Sequence, residues 1–153
     1  MESTLIITSG GFDPLHIGHI EYLKQAKALG GYALGGYHVC ILNTDDFLIK
    51  KKGYCFYTQE QRLALLSELR CVDRVVISID TDMSVSRTIG SIYRDYKDTV
   101  SNFIFAKGGD RYASEIPEAK ICAELGIKIV DGLGNKIESS SSLVEKVRKE
   151  RKF

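Results

Sequence analysis

Several classes of feature are missing from this chain, and each absence narrows what it can be. Its four cysteines, Cys40, Cys55, Cys71 and Cys122, form no Cys-x-x-Cys pair, and their spacing suits no zinc ribbon. No apolar run approaches the ~20 residues that a membrane span needs. The first residues lack a basic stretch followed by an apolar one, so no secretory leader is expected. Neither charge sign dominates: 21 Lys and Arg face 20 Asp and Glu, leaving a net charge of +1. That removes the global electrostatic case for a nucleic-acid partner, and any basic site must be local. Internal repeats, low-complexity segments and interdomain linkers are absent as well. The expectation is a reduced, cytoplasmic protein with no membrane or nucleic-acid partner.

What is present is a chain of 153 residues, 44% apolar and 27% charged, the composition of an ordinary globular domain. It is expected to form one domain over residues 1–153. Short apolar runs at Leu5–Thr8, Tyr37–Leu42, Arg74–Ile79, Asn102–Ala106 and Ile127–Val130 read as strands. Between them lie helical patterns. One carries Ile20, Tyr22, Leu23, Ala26 and Leu29 on one face and stops at Gly30-Gly31. Another opens at Thr58 with Gln61 as its capping-box partner. Further helices are expected at 84–96, at Ile116–Leu125 before Gly126, and at Ser142–Lys149, where Ser142 and Glu145 form a second capping box. Residues 45–57 read as a long loop carrying Lys50-Lys51-Lys52-Gly53. Strict alternation of strand and helix predicts an α/β fold, a doubly wound, parallel five-stranded sheet covered on both faces.

In such sheets ligands bind at the carboxyl ends of the strands. After the first strand comes Ser9-Gly10-Gly11-Phe12-Asp13-Pro14-Leu15-His16-Ile17-Gly18-His19. A glycine turn that runs into a helix start supplies unpaired backbone N–H groups and a partial positive charge, which suits phosphate. His16 and His19, three residues apart, fall on one face of that helix and can reach the same phosphate. Asp45 and the lysine triplet follow the second strand, and Lys107-Gly108-Gly109-Asp110-Arg111 follows the fourth. Ser139, Ser140, Ser141 and Ser142 precede the last helix. These loops are polar, glycine-rich and basic, and together describe an anion pocket the size of a nucleoside triphosphate. His38 lies inside a strand and reads as a structural histidine.

The string Gly10-Gly11-Phe12-Asp13-Pro14-Leu15-His16-Ile17-Gly18-His19 resembles the signature of the cytidylyltransferase-like nucleotidyltransferases. Gln59-Glu60-Gln61-Arg62-Leu63 with Val72-Asp73-Arg74-Val75-Val76 resembles that family's arginine-bearing helix and its following strand. Lys107-Gly108-Gly109-Asp110 is similar to a segment of the heptose-phosphate adenylyltransferases. The serine run is similar to one shared with glycerol-3-phosphate cytidylyltransferase. The chain departs from the latter in having no arginine at 134–139, where Lys136 stands, and from the heptose enzymes in Arg111.

The resemblance implies a Rossmann-like fold and attack by a phosphate oxygen of a small phosphorylated polyol or sugar on the α-phosphorus of CTP or ATP. His16, His19, Lys51 and Arg62 would be catalytic. Gly10, Gly11, Phe12, Asp13, Gly18, Lys107, Gly108, Asp110 and the four serines would bind the nucleotide. Asp45, Lys50 and Lys52 would bind the acceptor. Asp13 would hold a metal or orient a histidine, Mg²⁺ would arrive with the triphosphate, and the protein would be a homodimer. Two other readings carry the same residues: the class I aminoacyl-tRNA synthetases, which share the His-Ile-Gly-His string, and a non-catalytic nucleotide-sensing module.

Overall fold

A computed structural model describes residues 3–31, 36–109 and 116–134. Asp110, Arg111, Lys136, the serines 139–142 and the helix expected from Ser142 lie outside the described residues. Five strands, β1 (Thr4–Gly10), β2 (Tyr37–Leu42), β3 (Arg74–Ile77), β4 (Asn102–Gly108) and β5 (Lys128–Leu133), form one sheet in the order β3-β2-β1-β4-β5. All four pairings are parallel. Strand order therefore reverses between β1 and β4, which puts the binding crevice at the carboxyl end of β1.

Alternation along the strands sends residues to two cores. Leu5, Ile7, Val39, Ile41, Phe103 and Phe105 pack with Val85, Ile89 and Ile92 of the α4 region (α4, Ser86–Tyr96) and with Cys122 of α5 (Ala119–Leu125). Cys40 and Leu42 face the other way, onto Tyr22 and Leu23 of α1 (Ile17–Ala28) and Leu66 of α3 (Gln59–Ser67). The sheet is thus doubly wound, with helices on both faces, as the alternation predicts.

Element ends differ from expectation where local polar chemistry intervenes. Residues 45–52 are helical, not loop: α2 spans Asp45–Lys52. Thr44 Oγ1 accepts the Phe47 N–H at 3.1 Å, two aspartates occupy the first turn, three lysines the last, and Gly53 closes the helix at φ 87°. Each charge complements the helix dipole, so the absence of an apolar stripe does not prevent the helix. β3 stops at Ile77, short of Ile79, because Asp80 turns back to cap α4. Its carboxylate accepts the Arg87 and Thr88 N–H groups at 2.8 and 2.9 Å.

His38 has the structural role expected. Its Nδ1–H donates to the Cys71 carbonyl and its Nε2 accepts from Thr8 Oγ1 at 2.8 Å, fully buried between strands.

Candidate active site

The turn after β1 is shaped by contact rather than by flexibility alone. A Cβ on Gly10 would lie 2.9 Å from the Phe12 ring, and one on Gly11 would lie 2.7 Å from Leu48 Cδ2. Phe12 itself sits at φ 51°, a conformation that costs a non-glycine residue energy and persists where its surroundings enforce it. Here the enforcement is burial of its ring, 3% exposed, in the α1/α3 core.

The two histidines then build the start of α1. His16 is the N-cap, and its Nδ1 accepts the Gly18 N–H at 3.0 Å. His19 Nδ1 in turn accepts the His16 N–H at 3.2 Å. This is the capping-box exchange made with imidazoles in place of Ser and Glu. Its chemical consequence is a tautomer. With each Nδ1 used as an acceptor, the proton of each neutral ring resides on Nε2, which becomes a donor. The rings stack at 3.7 Å, and Phe12 meets His19 edge-on at 5.1 Å. Burial, then the neighbouring His16, then Lys52 push the His19 pKa down to about 4. His19 is accordingly a neutral donor at physiological pH.

A cavity of about 290 Å³ opens at this point. Gly10, Gly11, Phe12 and His19 line it from the centre, Asn43, Phe47 and Lys51 from the β2 side, and Lys107 and Gly108 from β4. The three consecutive lysines separate, as successive residues on a helix must. Lys51 lines this cavity. Lys50 lines a second one of about 260 Å³ that shares Phe47 as a wall. Lys52 donates to the Asp13 backbone oxygen at 2.8 Å and lies 3.4 Å from its carboxylate.

Several expected roles are corrected by these contacts. Arg62 is 1% exposed, and its guanidinium is spent inside the protein. Nε donates to Tyr57 O, Nη1 to Gly11 O and Asn43 O, and Nη2 to Asp45 Oδ1, at 2.7 to 3.1 Å. It ties the ends of β1 and β2 to α3, and these bonds give it a structural role in place of the exposed one expected. Asp45, held by Arg62, and Lys52, held by Asp13, are likewise not placed as acceptor contacts. Asp13 neither orients a histidine nor presents a free carboxylate. Its two oxygens accept the Phe56 and Tyr57 N–H groups at 2.7 and 2.8 Å. The Gly18 N–H belongs to His16.

Tyr22, Met83, Ser84, Val85, Pro117 and Glu118 also line the cavity, and the sequence does not mark them as site residues. Asn43, which follows the second strand, stands at the carboxyl end where a ligand-facing residue is expected from the sequence. Nothing in the pattern of 80–85 marks that segment as a cavity wall.

The cytidylyltransferase-like family model matches residues 7–147, nearly the whole chain. The chain belongs to the cytidylyltransferase-like family. This cytidylyltransferase-like chain is 30% identical to Bifunctional protein HldE of Citrifermentans bemidjiense over 94% of its own length. It spans only 27% of that relative, about a quarter. It is 28% identical to FAD synthase of Picrophilus torridus, with 93% of this chain and 94% of the relative covered. Glycerol-3-phosphate cytidylyltransferase of Bacillus subtilis is 39% identical over 46% of the chain. The crystal structure of the lipopolysaccharide core biosynthesis protein from Thermoplasma volcanium superposes with a TM-score of 0.66 at 27% identity, covering 88% of this chain and 99% of that one. The family is one of nucleotidyltransferases.

Proposed function

We propose that the protein transfers a nucleoside monophosphate from CTP or ATP to a small phosphorylated polyol or sugar. A phosphate oxygen of the acceptor forms a bond to the α-phosphorus, the bond from that phosphorus to the bridging oxygen breaks, and pyrophosphate leaves with the electron pair. The acceptor oxygen is already anionic, so no general base is required. What the chain must supply is positioning and hydrogen-bond donors for the charge that builds at the α-phosphate and on the leaving group.

The observation that carries this reading is the half-buried His19, which stands in the cavity wall with its Nδ1 already used as an acceptor. Its Nδ1 is fixed as an acceptor, so its Nε2 proton is available in a cavity also lined by Lys51 and Lys107. A neutral donor can follow developing charge without the desolvation cost of a buried cation. In this reading His16 holds His19 in its tautomer through its backbone N–H and is itself catalytic. Lys51 meets the acceptor phosphate. Gly10, Gly11, Phe12, Lys107 and Gly108 receive the triphosphate, and Asp110 and the serines 139–142 are taken as further nucleotide-binding residues. Arg62 supports the turn. It draws the Gly11 carbonyl toward itself, and because the peptide is planar and trans, the Phe12 N–H points the opposite way.

Among the described residues no group of three or more His, Cys, Asp or Glu could hold a metal ion, and the Asp13 oxygens are occupied by backbone donors. The described residues offer no cage for a protein-held Mg²⁺. A divalent cation would be carried in on triphosphate oxygens, its preferred ligands in such sites. The same reading takes the protein to be a cytoplasmic homodimer, a state that sedimentation equilibrium measures. Among the described residues no helix is long and apolar enough to cross a membrane.

The test is pyrophosphate release with Mg²⁺, each of ATP, CTP, GTP and UTP, and a panel of acceptors. The panel holds glycerol 3-phosphate, hexose 1-phosphates and, because one relative is an FAD synthase, riboflavin 5′-phosphate. Release confined to one triphosphate and one acceptor is the expected result. Triphosphate binding by calorimetry without release from any pair would favour the nucleotide-sensing module.

A further inference from the structure

Asn43 stands at the carboxyl end of β2 and is 7% exposed. Its backbone is fixed from both sides: the N–H donates to Gly10 O at 2.9 Å and the carbonyl accepts from Arg62 Nη1 at 2.7 Å. Asn43 is one of the residues that line the cavity. Among the described residues, Asn43 Oδ1 is the one buried side-chain nitrogen or oxygen atom with no hydrogen-bond partner. A buried acceptor left unpaired is costly and uncommon, and where one faces a binding cavity its missing donor is expected to come from the ligand.

The chemistry of that donor can be narrowed. Phosphate oxygens are acceptors and would repel a carbonyl oxygen, so Oδ1 does not serve the triphosphate or the acceptor's phosphate. A metal ion would want a carboxylate beside the amide. The nearest aspartate along the chain, Asp45, is paired with Arg62 at 2.7 Å. The donors that suit a neutral amide oxygen are N–H groups, which a nucleobase carries, and the hydroxyls of a ribose, polyol or sugar. Position selects among them. Asn43 shares the β2 side of the cavity with Lys51 and Phe47, whereas Lys107 and Gly108 form the β4 side assigned above to the nucleotide.

We propose that Asn43 Oδ1 accepts a hydrogen bond from a hydroxyl of the acceptor close to its reacting phosphate, and so selects polyol or sugar phosphates over their deoxy analogues. The inference rests on the transferase reading for which ligand lies on the β2 side. A site whose buried polar atom is satisfied only by the substrate rejects the analogue lacking that group, since binding the analogue leaves the atom unpaired. Asn43 is thus a specificity-determining residue, and its side-chain oxygen does nothing visible for the fold.

The experiment uses two matched pairs: glycerol 3-phosphate against propane-1,3-diol monophosphate, and glucose 1-phosphate against 2-deoxyglucose 1-phosphate. Pyrophosphate release gives kcat/KM, and calorimetry gives Kd without turnover, for wild type, Asn43→Ala and Asn43→Ser. In at least one pair wild type should favour the hydroxylated member by about tenfold or more. Asn43→Ala should bring the ratio close to one, and Asn43→Ser should retain part of it. The Tm of Asn43→Ala should not fall, because no internal bond to Oδ1 is lost. Equal loss of both members of the pair in Asn43→Ala, with the ratio kept, overturns the inference while leaving the transferase intact. So does a wild type that discriminates in neither pair, by either measurement. Absence of pyrophosphate with discrimination still seen in calorimetry overturns the transferase reading and leaves the hydroxyl contact standing.

Discussion

Two groups of polar side chains lie at the carboxyl ends of β1 and β2, close in sequence and opposite in design. In one, Asp13, Lys52, Asp45 and Arg62 are partnered with one another and with backbone atoms. In the other, His19, Lys51 and Asn43 line the cavity. The first group is a clamp that holds the glycine turn, α2 and the start of α3 together. The second is the surface that the clamp holds in place. A buried ion pair is a poor source of net stability but is costly to break, which suits a part whose task is to fix geometry. Ligand-facing groups carry the reverse cost where, as at Asn43 Oδ1, the folded protein gives them no partner.

The sharpest way to separate the two groups is to remove one member of each. Arg62→Ala strips four hydrogen bonds and leaves Asp45 and three backbone carbonyls without that donor. Unfolding in urea should show a loss of about 3–5 kcal/mol, the scale for breaking a buried pair. Arg62→Lys should not restore it, because one ammonium cannot reach that many divergent acceptors. His19→Ala should behave in the opposite manner. Turnover should fall by roughly a hundredfold or more, the effect of losing one transition-state donor. Its urea midpoint should move far less than that of Arg62→Ala. Near-normal turnover in His19→Ala would remove the catalytic role assigned to it.

The lysines of α2 give a finer comparison within one helix. Lys51→Ala should lower kcat/KM by about tenfold to a hundredfold, the worth of one hydrogen bond to a charged group. Lys50→Ala, on the neighbouring cavity, should change it by no more than about threefold, within the small range of a partly solvated charge. Equal effects of the two would mean that the acceptor phosphate lies across Phe47, the wall the two cavities share.

The frame of this molecule was legible in its sequence because each strand is a short apolar run followed by a punctuated helix. The glycine turn and both histidines were legible for the same reason, being local in sequence. Arg62 was not. A guanidinium reads as a phosphate ligand until the carbonyls of Gly11, Asn43 and Tyr57 are seen converging on it, and those come from three separate segments. Asp13 was misjudged likewise, since its donors, Phe56 and Tyr57, lie more than forty positions away. The helix at Asp45–Lys52 was misread for a different reason. Its signals are its cap, its charge order and Gly53, and none of them shows as apolar periodicity.

The smallest expected effect joins the two groups. Lys52 belongs to the clamp, yet its charge is among the causes that lower the His19 pKa, after burial and His16. In the folded protein that pKa is about 4, against an ordinary value of 6.5. Between those values the unfolded chain binds a proton that the folded chain does not, so stability rises with pH across this window. The contribution is complete above about pH 6.5 and is lost progressively as pH falls toward 4. Thermal melts over that range should show a decline that is shallower in His19→Gln, which cannot take up the proton. Lys52→Gln removes one of the smaller causes and should move the His19 titration upward by a fraction of a unit, measured by the imidazole proton shifts. A His19 shift that stays put in Lys52→Gln would mean that the clamp acts on the catalytic surface through geometry alone, and that the two groups are electrostatically independent.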